Sequence, residues 1–247
     1  MTAILIFFVA HWYLSLFCQT FYLHRYGAHK LFTMSKFWER FFHILTYLSQ
    51  GSSYLTPRAY AVLHRMHHAY SDTENDPHSP HHAKGLFDMM WKTKDIYNDY
   101  LHYKKFPEER FQKELPDFKL IDDIGDMWIS RFLWGTSYTL FYMYFVPSGM
   151  WFLYLLLPIH YLMGPVHGAI VNWCGHMYGY SNFDNNDKSK NSLIFDFLMG
   201  GELFQNNHHK YPLNMNFAAK KFEFDPTYPV ILVLKTLRII KPNPLAS

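Results

Sequence analysis

Residues 132–183 read FLWGTSYTLFYMYFVPSGMWFLYLLLPIHYLMGPVHGAIVNWCGHMYGYSNF and contain no Lys, Arg, Asp or Glu. A turn at Pro147, Ser148 and Gly149 divides the run. Each half is about long enough to cross a ~30 Å hydrocarbon core at ~1.5 Å per residue. Residues 3–23 form a second apolar run without charge. It lacks the basic start and small-residue cleavage site of a signal peptide, and a histidine-bearing segment follows at once, so it reads as a span. The expected fold class is therefore an all-α integral membrane protein: transmembrane helices topped by a cytosolic helical cap.

Composition agrees. Of 247 residues, 17% are charged, against roughly 25% in an average soluble protein. A net charge of +3 is too small to call for a nucleic-acid partner. Cys18 and Cys174 sit in apolar stretches and form no disulfide framework, which fits a reducing compartment.

Residues 37–55 are apolar enough to suggest a further span. Yet Phe37, Trp38, Phe41, Phe42, Leu45 and Leu48 recur on one helical face, with Glu39, Arg40, His43, Ser49 and Gln50 on the other. That pattern belongs to a helix lying in the interface. Every Lys and Arg falls within residues 25–131 or after Phe183. With one span at 3–23, a flat helix at 37–55 and a later hairpin, all of them face the cytoplasm, as the positive-inside rule asks. A crossing at 37–55 would put the histidines on either side of it on opposite faces, ~30 Å apart. The chain is thus expected to be one domain: first span and interfacial helix at 1–56, cytosolic cap at 57–131, transmembrane hairpin at 132–176, cytosolic C-terminal part at 177–247.

Most of the 16 histidines cluster in that cytoplasmic part. HRYGAH carries His24 and His29, HRMHH carries His64, His67 and His68, NWCGH carries Asn172 and His176, and QNNHH carries Gln205, His208 and His209. His64, His67 and His68, at i, i+3 and i+4, share one helical face. Asn172 and His176 stand one turn apart. His24 and His29 diverge on a regular helix, and Gly27 is expected to let the helix end between them. Adjacent pairs such as His67–His68 and His208–His209 point ~100° apart, which suits two metals better than one. Imidazoles without cysteine favour iron, copper or zinc over magnesium or calcium. No Glu-x-x-His pair is present, so a carboxylate-rich helical-bundle site is excluded. His11, His43 and His160 read as satisfied polar groups, His81 and His82 as a solvated loop, His102 as surface. His167 is expected to hydrogen-bond within the bundle. His78 is expected on the support or substrate side of the site.

In order, spacing and flanks these segments resemble the membrane fatty acyl desaturases of the stearoyl-CoA desaturase type and their bacterial relatives. HRYGAH resembles that family's HxxxxH box, HRMHHAYSDTENDPH its HxxHH box with SDxxxDPH, NWCGHMYG its NxxxHxxG element, and GELFQNNHHKYP its GExxHNNHH box. The resemblance covers about nine-tenths of the chain. It implies a histidine-rich di-iron site under the cap, held by His24, His29, His64, His67, His68, His176, His208 and His209, with Asn172 acting through a water. Asp72, Asp76, His78, Glu202 and Asn207 are expected to support those ligands. It also implies dioxygen as co-substrate and a cis double bond set into a long fatty acyl chain, most readily an acyl-CoA. Gln205 departs from the pattern, standing where the family has a histidine; an amide offers only a neutral oxygen. A single span before the first box is the other departure, with the N-terminus outside.

Removing hydrogens from unactivated CH₂ groups needs a metal–oxygen species. The sequence shows no iron–sulfur, c-type haem or dinucleotide motif, so a separate electron donor, ferredoxin or cytochrome b5-like, is expected. Two rivals share some of these features. A related hydroxylase would use the same iron pair. A non-enzymatic membrane metal-binding or transport protein would need a polar path through the bilayer.

Overall fold

The computed structural model describes residues 1–244. Helix α1 (Thr2–Phe17) runs without a break into a π-helical segment, Cys18–Ala28. Together they form a helix of 27 residues, with mean hydropathy 1.6 over an 18-residue stretch, the one described helix long and apolar enough by itself to cross a membrane. Strand β1 (Phe32–Met34) follows, then α2 (Lys36–Gln50), whose first turn Ser35 caps at the Trp38 N–H. Helix α3 (Pro57–Tyr70) starts on a proline, whose missing N–H costs nothing there. Helices α4 (Leu86–Leu101) and α5 (Lys119–Asp126) complete the polar block.

Helix α6 (Trp128–Phe145) rises from it, and a 3₁₀ segment (Trp151–Leu156), α7 (Leu157–Tyr161) and α8 (Met163–Met177) return. This return arm is not the straight span expected from residues 132–183. It bends by 78° between Trp151–Tyr161 and Met163–Met177. Pro165 explains the break: it has no N–H to bond back to Tyr161 but fits the first turn of a new helix. The bend brings Gly164 onto Ser53 and Leu55, where an added Cβ would lie 3.2 Å from the Ser53 carbonyl oxygen.

Helix α9 (Gln205–Lys210) and helix α10 (Thr227–Thr236) lead to β2 (Ile240–Pro242). Strand β2 pairs antiparallel with β1, Phe32 opposite Pro242 and Met34 opposite Ile240. This small sheet corrects the all-α expectation. Three-residue strands are too short to show a period of two. Their side chains join Phe21, Tyr22, Leu23 and Phe42 in the main apolar core.

The helix expected at 37–55 ends at Gln50, where Gly51 turns the chain at φ 51°. The Tyr138 hydroxyl occupies the space where a Cβ on Gly51 would stand, so only glycine fits. The two faces of α2 lie the opposite way from a soluble helix. His43, Thr46, Ser49 and Gln50 are buried, while Phe37, Phe41, Ile44 and Leu48 are exposed. Helix α6 likewise exposes Phe132, Leu133, Leu140, Met143 and Tyr144. Such a wide apolar surface marks a region that meets something other than water.

Candidate metal centre

Helix α3 carries His64, His67 and His68 on one side, as their spacing requires, but it divides them. His24, His29, His64, His68 and His208 bring one nitrogen each within 4.8 Å of all the others. His67, His176 and His209 form a second group by the same measure. The neighbours His67 and His68 therefore serve different groups, as do His208 and His209, because ~100° separates consecutive side chains on a helix.

His24 and His29 reach the first group by a route other than the one expected. The helix does not end at Gly27. It continues through Ala28 with i→i+5 winding, and the His29 N–H donates to the His24 carbonyl at 3.1 Å. In that winding, residues five apart follow each other round the helix, and the two rings stand 4.9 Å apart. Gly27 instead lets other chain segments close in, with its carbonyl accepting from Arg65 at 3.0 Å.

The facing nitrogens are close: His29–His64 2.7 Å, His24–His208 3.0 Å, His68–His208 3.0 Å and His67–His209 3.2 Å, all Nε2 to Nε2. Two nitrogens each about 2.1 Å from one ion and at right angles stand about 3 Å apart. The opposite nitrogens decide the chemistry. His67 Nδ1 lies 2.9 Å from Asp76, His176 Nδ1 2.9 Å from Asp72, His209 Nδ1 2.7 Å from Asp187 and His24 Nδ1 2.6 Å from Glu202. An Nδ1–H that donates to a carboxylate leaves Nε2 as a lone pair. His67 and His209 both do so, so their 3.2 Å contact sets one lone pair against another. A cation between them resolves that contact, and the residues present therefore fit a metal.

Electrostatics agree. Burial first, then the neighbouring imidazoles, hold His29, His64, His68 and His208 well below the usual histidine range, so they stay neutral donors. Burial pushes the carboxyls of Asp72, Asp76 and Asp187 upward. The imidazoles of His176, His67 and His209 and nearby backbone N–H groups outweigh it, and all three stay ionised. Glu202 also accepts from Thr20 and from the fully buried Arg25, whose other arm pairs with Asp225 at 2.8 Å. That chain of contacts ties the α9 segment to the first helix.

Around the groups, His78 packs its ring 4.4 Å from His67, and its backbone N–H donates to Asp76 at 3.0 Å. Gln205 lies flat on Gly175 of α8, where a Cβ would stand 2.4 Å from its Cγ. Gln205 Nε2 donates to the Glu202 carbonyl at 2.7 Å. Asn207 turns the other way, bonding Glu223, the Phe217 carbonyl, Asn182 and Asn191. Asp187 escaped the sequence reading, because nothing in SNFDNNDKSK marks it out. His81 is not simply solvated: it bonds the His176 carbonyl at 3.1 Å. His167 lacks the expected bundle hydrogen bond; neither ring nitrogen has a partner, and Trp12 packs edge-on against it. His43 is satisfied by Tyr22, Tyr54 and Asp122, and His102 by Asp126.

A cavity of about 1090 Å³ reaches this centre. Its lining includes His64, His67, His78, Asn172 and Gln205, the apolar or aromatic Leu63, Tyr97, Phe132, Leu140 and Val171, and the polar Lys94, Asn98 and Arg131. Its volume lies just above the about 300–1,000 Å³ of small-ligand pockets.

The chain is 27% identical to the Delta-9 desaturase-like 2 protein of Arabidopsis thaliana, with 89% of this chain and 70% of that protein covered. It is 26% identical to an acyl-CoA 5-desaturase of Anemone leveillei, covering 90% and 65%. It is 28% identical to the sn-1 stearoyl-lipid 9-desaturase of Synechocystis, covering 88% and 64%. The chain thus spans about two thirds of the length of these relatives. The family model described as fatty acid desaturase matches residues 1–219, and the chain belongs to the fatty acid desaturase family.

Proposed function

We propose that this chain is a membrane-embedded, oxygen-dependent desaturase that holds two iron ions and sets a cis double bond into a long fatty acyl chain. The observation that carries the reading is the pair of adjoining histidine groups beside a large, mostly apolar-lined cavity that both reach. His24, His29, His64, His68 and His208 would hold one ion. His67, His176 and His209 would hold the other, with Asn172 and Gln205 beside it. When bound, the iron pair supplies the dioxygen chemistry that no side-chain acid or base provides.

The chain's own residues do the rest. Asp72, Asp76, Asp187 and Glu202 keep the Nδ1 protons in place and so aim the Nε2 lone pairs inward. The cavity walls exclude water and hold the acyl chain extended past the centre. Lys94, Asn98 and Arg131 in the lining offer charge and hydrogen bonds to a polar carrier, and an acyl-CoA is the carrier we favour. Electrons come from a separate ferredoxin or cytochrome b5-like protein.

In this reading Thr2–Ala28 crosses the bilayer, α6 with the bent α7–α8 arm forms the hairpin, and α2 lies in the interface with Phe37, Phe41, Ile44 and Leu48 toward lipid. The parts at 57–131 and 177–247, whose last three residues lie outside the described ones, belong together on the cytoplasmic side as one domain with the spans. The test is expression in a desaturase-deficient host, with double-bond analysis of the fatty acids and metal analysis of the purified protein. New unsaturated acids and two irons are expected. A hydroxylated product would assign the related hydroxylase, and full activity with zinc alone would overturn the reading.

A further inference from the structure

The two histidine groups are unequal, and the inequality points one way. The first has five imidazoles, a set that nearly fills an octahedral sphere. The second has three. Gln205 stands one turn from His209 on α9 and lies on Gly175, the chain neighbour of His176, while Asn172 stands one turn from His176 on α8; both line the cavity together with His67. Gln205 sits on α9 at i, i+3 and i+4 with His208 and His209, so it belongs to their face of the helix. Its Nε2 is engaged with the Glu202 carbonyl, which leaves Oε1 as the free atom. A neutral amide oxygen is a weaker donor than imidazole to a divalent first-row ion. The buried Nε2 of His176 has no partner in the protein, so the second position does have a donor waiting for an ion.

We infer that the second position, at His67, His176 and His209, is a weakly binding, open metal site. Its open face points into the cavity, and Gln205 is the residue that keeps it open. The inference rests on the two-metal reading above. It predicts that the ion there binds last, leaves first, and is the one that takes an added small ligand. Loss of even an outer partner of a ligand costs about 10–100-fold in metal affinity, so a missing donor is expected to cost about tenfold or more.

The experiment adds cobalt(II) stepwise to the purified, metal-free full chain in detergent and follows visible absorption and bound metal. Two classes of site are expected, differing at least about tenfold in affinity. Azide should alter the spectrum only after the first equivalent is bound. His67→Ala should abolish the weak class alone. Gln205→His should tighten the weak class by about tenfold or more and blunt the azide response. Should Gln205→His fail to fold, the two-step binding and azide response of the unaltered chain still decide. Two ions bound with equal affinity, or azide acting on the first equivalent, would overturn this inference and leave the two-metal reading standing. Failure to bind two cobalt ions at saturation would overturn both.

Discussion

Buried imidazoles meet in two places in this molecule, and only one of them is built for a cation. On the apolar side, His11 Nδ1 lies 2.6 Å from His160 Nδ1, and His160 Nε2 lies 2.9 Å from the Tyr142 hydroxyl. The rings stack on Phe7, and no carboxylate bonds to either among the described residues. At the histidine groups the nitrogen–nitrogen distances are similar, but Asp72, Asp76, Asp187 and Glu202 hold the far sides of four rings. A neutral imidazole has one donor and one acceptor, so one Nδ1 of this pair can donate to the other with no charge between them, although His11 Nε2, expected to be satisfied, has no partner. His67 and His209 have both spent their protons on Asp76 and Asp187, and their facing lone pairs need a positive charge between them. Proximity of histidines is thus a weak sign of a metal site. The groups behind them are the stronger one.

The largest effects are expected at the ligands. His64→Ala or His68→Ala is expected to reduce unsaturated product below detection while the protein stays inserted, since each sits on a polar helix and offers its nitrogen to the five-histidine group. Iron content and fatty acid analysis of membranes check this, and near-normal product from either variant would remove that residue from the site. The carboxylates come next. Asp187→Asn keeps the shape but lets an amide replace the proton acceptor of His209 Nδ1, and the expected loss is about 10–100-fold in metal affinity. Equilibrium metal binding measures it; an unchanged affinity would reduce Asp187 to a loop anchor.

Smaller effects are expected at Gln205 and His160. Gln205→Ala should keep measurable turnover, falling no more than about tenfold, because an amide oxygen contributes little to iron. Product analysis beside His209→Ala, which should lose the second ion, sets the scale. His160→Phe should leave metal content untouched and cost about 1–3 kcal/mol of stability by stranding His11 Nδ1 and the Tyr142 hydroxyl. Thermal unfolding in detergent reads that cost. Iron lost with His160→Phe would erase the distinction between the two places.

Several features of the molecule follow from local sequence alone. The uncharged runs at 3–23 and 132–183 marked the apolar elements. The i, i+3, i+4 spacing put His64, His67 and His68 on one side of α3, and the adjacent pairs announced two groups rather than one. These are consequences of local periodicity, which depends only on neighbours in the chain. The tertiary structure decided the rest. It wound Cys18–Ala28 as a π-helix so that His24 and His29 meet, bent the return arm at Leu162, and paired β1 with β2 across some two hundred residues. It also turned the polar face of α2 inward. Periodicity tells which residues of a helix share a face, but where the surroundings are also apolar it does not say which face is buried. Asp187 came to His209 in the same way, through packing between segments whose contact no local spacing encodes.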